Sequence, residues 1–398
     1  MNAWVILITV YLVLFLSSPL IAILHELGHA FAYLLLTKPD KIDIYIGSYG
    51  DTKRQVQFRV GKLQFHIKKS FPFVKGIGLC MSSKAETNYL KRIVILLAGT
   101  VFTLFWAAIL SIVAFNSDVH LLVKISCYIF LGLSAVSLIS NLVPRDVNPF
   151  NTNTLENDGK QLLFTIKAKT ALADYVEALQ FIGNKEYEPA IIKLQPVLAV
   201  MKNDVKILRF LIFTTLNAKR FDDTAVYIKQ LELQTELLPN DLFYKGCWQS
   251  FTHQHDEAIT TYSKVLKKEK NNVLALNNIA YELIEKGAHE VALRALQRAI
   301  KHKEEYDQSY GNLGYSKILQ NDLEAGRETI EKCLSLNPGN ALACKALGIY
   351  YLRLKDWEKA NTNFNKALEF DSDINVSAYT DELDQLASLN KLSDTALA

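Results

Sequence analysis

The residues best suited to chemistry lie in one string, Ile23-Leu24-His25-Glu26-Leu27-Gly28-His29-Ala30. On a helix, residues four apart share a face, so His25 and His29 present two imidazoles to one point and can hold one zinc ion. Glu26 sits on the neighbouring part of the turn. It is not needed as a ligand and is suited to take a proton from a zinc-bound water and deliver it to a leaving amine. Zinc brings the pKa of such a water down towards ~7, which makes a nucleophile at neutral pH. HExxH is a short pattern that also arises in soluble helices with solvated histidines. Here its setting is apolar: the stretch from Ala3 to Leu36 holds one acidic residue, Glu26, and no Lys or Arg. Ionisable groups inside an apolar span are expensive and are retained mainly for function. A catalytic zinc takes three protein ligands and keeps one open position, so a third ligand must come from another element.

Three apolar stretches surround and follow this string: residues 3–36, 93–115 and 125–143. A span needs roughly 20 apolar residues to cover ~30 Å of hydrocarbon. The first stretch, as one helix, would reach about 51 Å at 1.5 Å per residue and must tilt, kink at Pro19 or emerge. A signal peptide fits poorly, because Met1-Asn2-Ala3-Trp4 lacks a basic segment and the apolar run is too long. Between the first and second stretches, residues 37–92 hold twelve Lys/Arg against four Asp/Glu. The excess of positive charge places this loop inside, the N-terminus outside and everything after the third stretch inside. Within the loop, Ile42 to Ile46, Gln55 to Val60 and Leu63 to Ile67 alternate apolar and polar residues, with Gly47, Gly50 and Gly61 between them. That pattern predicts a small antiparallel sheet over about residues 40–80, resting on the membrane surface or the helices.

The third stretch ends in Ser140-Asn141-Leu142-Val143-Pro144, and a polar loop leads to Glu156-Asn157-Asp158-Gly159-Lys160. HELGH in one span, NxxP at the end of another and a later DG resemble the site-2 protease family of intramembrane zinc metalloproteases. The resemblance covers roughly the first 165 residues. It implies a three-helix catalytic core with one zinc ion held by His25, His29 and Asp158, Glu26 as the acid/base, and Asn141 positioning the substrate strand. Ala98-Gly99 matches the glycine of a further family motif, with Thr100 where proline is usual. The spacing from Asn141 to Asp158 is longer than the family's compact form, and Asp146 stands as the competing third ligand. An ordinary turn or helix cap also accounts for Asp158-Gly159.

From about Leu172 the chain repeats with a period of 34. Ala178, Gly246, Ala280, Gly314 and Gly348 form one series of small residues, with Ile212 in the remaining slot. Ala190, Thr224, Ala258, Ala292, Gly326 and Ala360 form a second; Leu194, Ile228, Tyr262, Leu296, Ile330 and Phe364 a third. Val197, Leu231, Val265, Ala299, Cys333 and Ala367 form a fourth. These series resemble the tetratricopeptide repeat, which implies paired antiparallel helices stacked as a solenoid with a concave face. Six units are expected over 171–375, followed by a helix or tail over 376–398. Asn278 and Asn312 occupy equal places on successive first helices, where such amides can hold a peptide backbone in a groove or simply be solvated. His253, His255, His289 and His302 read as solvated.

The net charge of +3, from 44 Lys/Arg and 41 Asp/Glu, is too weak to argue for nucleic acid. The five cysteines show no CxxC spacing and read as reduced buried thiols. The fold expected is mainly α: a polytopic core of three spans with a small β insertion, over residues 1–165, followed by a tetratricopeptide solenoid. The function expected is intramembrane zinc endopeptidase: a hydrolase that cuts a membrane-protein or peptide substrate in or beside a span, with the repeats recruiting substrate or regulator. The expected place is the lipid bilayer of a bacterial cell, with the repeats cytoplasmic. Two other readings stand beside it: an inactive membrane-anchored tetratricopeptide scaffold, and processing of peptide signals or bacteriocins by the same zinc chemistry.

Overall fold

The computed structural model describes residues 3–48, 50, 54–70, 78–147, 155–383 and 385. The chain divides into two compact units, Met1–Ile207 and Leu208–Ala398, and each is described by itself. In the first unit, α1 (Ala3–Leu36) runs unbroken through Pro19. α2 (Tyr89–Asn116) and α3 (Leu121–Leu142) follow, with Asn88 and His120 capping their first turns through side-chain acceptors. All three helices are long and apolar enough to cross a membrane.

α1 and α2 touch through glycine. A Cβ at Gly28 would lie 2.5 Å from the Ala98 carbonyl oxygen, and one at Gly99 would lie 2.8 Å from the His25 carbonyl oxygen. Small residues of this kind let helix backbones approach closely.

Between α1 and α2 lies a four-stranded sheet of β1 (Ile42–Ile46), β2 (Gln55–Val60), β3 (Leu63–Lys68) and β4 (Gly78–Ser82). Its order is β2-β3-β1-β4. The expected all-antiparallel sheet is corrected to a mixed one: β2–β3 and β1–β4 are antiparallel, but β1 and β3 run parallel. β3 doubles back on β2 as a hairpin, and β1 lies between that hairpin and β4, parallel to β3 and antiparallel to β4. Ile42, Ile44 and Ile46 are fully buried on one face, packed with Ile23, Leu27 and Tyr33 of α1.

After α3, a two-residue ladder of β5 (Asp146–Val147) and β6 (Leu155–Glu156) brings the chain back to α4 (Asp158–Lys167). Much of the polar insertion, residues 148–154, lies outside the described residues. α5 (Leu172–Gly183) and α6 (Tyr187–Met201) complete the unit as a helix pair.

Further pairs follow: α7 (Val205–Asn217) and α8 (Phe221–Gln234), α9 (Pro239–Phe251) and α10 (His255–Lys268), α11 (Val273–Glu285) and α12 (His289–His302). α13 (Asp307–Leu319) with α14 (Leu323–Leu336), and α15 (Ala341–Arg353) with α16 (Trp357–Phe370), end the series. A short helical segment follows over residues 377–383; the tail over 386–398 lies outside the described residues.

The 34-residue series describe how each pair closes. A Cβ at Gly246 would lie 2.6 Å from the Tyr262 ring, one at Gly314 2.6 Å from Ile330, and one at Gly348 2.4 Å from Phe364. The small residue of the first helix is the socket for the large residue of the second. Every turn between paired helices carries a left-handed residue at the same place: Lys185, Lys219, His253, Gly287, Asn321 and Lys355, all with φ between 59° and 74°.

In the second unit, successive first helices lie against one another: α9 against α11, α11 against α13, α13 against α15. Successive second helices do not approach as closely. The first helices therefore form the tighter, inner face of the stack and the second helices the outer one.

Candidate functional site

His25, His29 and Asp158 come together. One ligand-type atom from each lies within 4.8 Å of the others, so the three could hold a metal ion. They also satisfy one another: His25 Nε2 lies 3.0 Å from Asp158 Oδ2 and 3.0 Å from His29 Nε2. His29 Nε2 is 3.4 Å from the same carboxylate oxygen. The other nitrogen of His29, Nδ1, lies 2.7 Å from the Ile95 carbonyl oxygen of α2 and donates its proton there. Burial pushes the Asp158 carboxyl up, but the imidazoles of His29 and His25, through charge and hydrogen bonds, outweigh it and hold the group below the usual carboxylate range. Glu26 is buried on the adjoining face of α1, and its carboxylate packs on β4: a Cβ at Gly78 would lie 2.5 Å from Glu26 Oε1. Asp146, the competing third ligand, is elsewhere, paired with Lys160 at 2.6 Å and half-exposed.

What brings Asp158 to α1 is its neighbours. Asn157 caps α4, its Oδ1 accepting from the Lys160 amide at 3.0 Å and from the Arg145 amide at 3.0 Å. Its Nδ2 donates to the carbonyl oxygens of Asn141 at 3.0 Å and Val143 at 2.7 Å, which are free because α3 ends there. Gly159 seats the joint: a Cβ there would lie 2.2 Å from the Leu142 carbonyl oxygen. Asn141 presents its carbonyl to Asn157 and turns its amide to Ser137 Oγ at 3.3 Å. Asn157 and Gly159 were not singled out from the sequence. The signal was a side-chain cap two residues before the tightest position, inside a polar stretch that reads as loop.

On the inner face of the second unit, Asn312 donates to Asn277 Oδ1 at 2.9 Å, and Asn278 donates to the Tyr262 hydroxyl at 3.2 Å. Both amides are thus engaged with neighbouring repeats. Two histidines expected to be solvated are also engaged. His255 Nδ1 lies 2.6 Å from the buried Glu282, and His289 Nδ1, one repeat later, 3.0 Å from Ser316 Oγ. Each ties a second helix to the following first helix. Burial pushes the Cys247 thiol up to about 11 and the Cys333 thiol up to about 12, in keeping with packed, unreactive cysteines. At the two ends of this unit, Lys219 in the α7–α8 turn pairs with Asp373, and lies 3.8 Å from Asp371, both just after α16.

Comparison with known proteins identifies a repeat. The tetratricopeptide repeat family matches residues 307–340. No curated protein matches the chain. Among solved structures, MamA from Desulfovibrio magneticus RS-1 is similar at 23% identity over 42% of this chain and 95% of its own, with a TM-score of 0.34. YrrB, described as a tetratricopeptide protein with an unusual peptide-binding site, is similar at 14% identity over 48% of this chain and 97% of its own, with a TM-score of 0.38. PilW, a type IV pilus biogenesis factor, is similar at 13% identity over 53% of this chain and 97% of its own, with a TM-score of 0.43.

The family match corrects the expected assignment: it supports a tetratricopeptide repeat over residues 307–340, and the site-2 protease resemblance is withdrawn, together with the hydrolase activity of Glu26 and the peptide-processing variant of it. The zinc ion expected on His25, His29 and Asp158 is withdrawn with them. The mutual contacts at 3.0 Å account for the closeness of the three side chains as a polar joint between α1 and α4. What stands is a mainly helical chain with a tetratricopeptide-like solenoid and three long apolar helices.

Proposed function

We propose that the chain is a membrane-anchored scaffold whose repeats dock a protein partner on the face made by their first helices. The observation that carries this reading is the side-by-side contact of α9, α11, α13 and α15, which lines one continuous surface with side chains from four repeats. Surfaces of this kind are what stacked helical repeats use for binding. α1, α2 and α3 cross the bilayer in this reading, with the N-terminus outside and the repeats inside, because the basic loop over residues 37–92 stays on the inner side. His25, Glu26, His29 and Asp158, with Asn141 beside them, form the polar joint that holds α4 against α1. Asn278 and Asn312, expected as groove amides, tie neighbouring repeats together behind that face in this reading.

A photo-crosslinking amino acid placed at Tyr281 in the membrane-embedded full chain is expected to label a discrete protein partner. The same group at Lys264, an exposed residue of the second helix α10, is expected to label none. Equal labelling from both positions would overturn the assignment of the docking face.

A further inference from the structure

The inner face holds one side chain that packing does not explain. Lys345 is 5% exposed, yet its ammonium takes part in no hydrogen bond or ion pair among the described residues. It lies over two aromatic rings instead, 5.2 Å from the centre of Tyr315 and 5.7 Å from that of Tyr379. A lysine stem can snorkel along apolar surface, but a buried ammonium normally finds a carboxylate. The nearest acidic influence is Glu285, and that carboxylate is already taken up by the Tyr315 hydroxyl at 3.1 Å. Desolvation depresses the lysine below its ordinary value and Glu285 only partly opposes it.

The position is not accidental in the repeat. Asn277, Gly311, Lys345 and Tyr379 are spaced by 34 and form one row along the first helices and the segment after α16. Two of these places are small or neutral amide. Of these four, Lys345 alone brings charge; the same register earlier in the chain holds Phe243 and Arg209, whose guanidinium is paired with Asp241 at 2.8 Å. Tyr281 and Tyr315 form a second row, also 34 apart, and the hydroxyl of Tyr315 interacts with Tyr379. The result is a cation held among tyrosine hydroxyls and faces, on the surface that the proposed function assigns to docking.

We propose that Lys345, with Tyr315 and Tyr379, is the subsite for a carboxylate of an acidic peptide segment in the docked partner. This rests on the reading of the first-helix face as the docking surface. The ammonium supplies the charge and the N–H donors; Tyr315, whose hydroxyl donates to Glu285 at 3.1 Å, and Tyr379 supply ring faces. The aromatic walls exclude water, so the charge-assisted bond is stronger than at an exposed lysine.

The test uses the detergent-solubilised full chain and two fluorescein-labelled peptides, pentaglutamate and pentaglutamine, both amidated at the C-terminus. Pentaglutamate is expected to bind at least about tenfold more tightly, the size of one charge-assisted bond. Lys345→Met is expected to abolish that preference, Lys345→Arg to keep part of it, and Lys264→Met, on the outer face, to leave it unchanged. Equal binding of the two peptides, or a preference that survives Lys345→Met, overturns the subsite. If crosslinking from Tyr281 still captures a partner in that case, the docking face stands and only the carboxylate subsite falls.

Thermal unfolding provides a second arm. A lysine whose folded pKa lies below its unfolded one destabilises the fold fully at pH values below the folded pKa. The cost fades as pH rises through that window towards the ordinary lysine value, because there the unfolded chain binds more protons than the folded one. The charged and titratable groups facing Lys345 are Tyr315 on α13, Tyr379 after α16 and Glu285 on α11. Lys345→Met is therefore expected to raise the Tm at pH 7, with the gain shrinking towards pH 10. A lower Tm for Lys345→Met at pH 7 would mean that the chain itself satisfies the ammonium, and would overturn the subsite.

Discussion

Asn157 joins two helices with the two ends of one amide. Its oxygen caps α4 and its nitrogen closes the open carbonyls at the end of α3. Replacing it with Ala leaves those carbonyls without their donor in a part-buried place. The expected cost is about 1–3 kcal/mol, read as a lower denaturation midpoint of the solubilised chain. Asn157→Asp keeps the cap and loses the donor, so it should fall between the two; an Asn157→Ala chain as stable as the parent would remove the joint from the account. The pairing of His25 with His29 was legible because residues four apart on a helix must share a face. The approach of Asp158 was suggested by resemblance, while the residues that produce it, Asn157 and Gly159, were hidden in a polar run with no periodicity. Lys345 was hidden for a different reason. A lysine in an amphipathic helix reads as solvated, and nothing local reveals that Tyr379, 34 residues later, will cover it.

At the scale of elements, the 34-residue series were legible because they are packing rules. Gly348 is small because Phe364 occupies its space, and the same holds for Gly246 with Tyr262 and Gly314 with Ile330. The left-handed turns were not legible, since Gly287 and Asn321 alone among the six carry a residue type that favours that conformation. Lys355, with φ 62°, pays the steric cost of a Cβ in left-handed backbone. Lys355→Gly is accordingly expected to stabilise the second unit by about 0.5–1 kcal/mol, net of the entropy glycine loses on folding. A urea titration followed by far-UV circular dichroism checks it, and a loss of stability would show that the lysine side chain contributes more than its backbone strain costs. The β insertion teaches the converse. Alternation in Ile42 to Ile46 and Leu63 to Ile67 told which residues share a face, with the membrane surface and the helices both open as what it meets; both sets pack in one cluster with residues of α1. It could not tell that the two strands run parallel, because alternation sets the face of a strand and leaves its partner and direction open.

For the whole molecule, the most readable property was the presence of three long apolar helices; the first matches its expected run, while the second and third begin four residues before the expected 93 and 125 and reach 28 and 22 residues. Least readable was what happens across long separations. Lys219 and Asp373 are 154 positions apart and meet through two turns that have no pattern in common. Both side chains are more than half exposed, at 52% and 59%, so the pair is weak and open to salt. Spin labels on Asn217→Cys and Ser372→Cys should move apart in 1 M salt, where the Debye length is about 3 Å, and in Lys219→Glu. The double exchange Lys219→Glu with Asp373→Lys should restore the shorter distance at low salt. A separation indifferent to all three changes would mean that packing, not charge, holds these turns together.

That contact gives the array of repeats a clasp. If the first-helix face docks a partner as proposed, a necklace fastened this way would admit a long flexible segment by its free end or wait for the fastening to part. Ions in the medium would then hasten entry, even while they weaken the grip on whatever has entered.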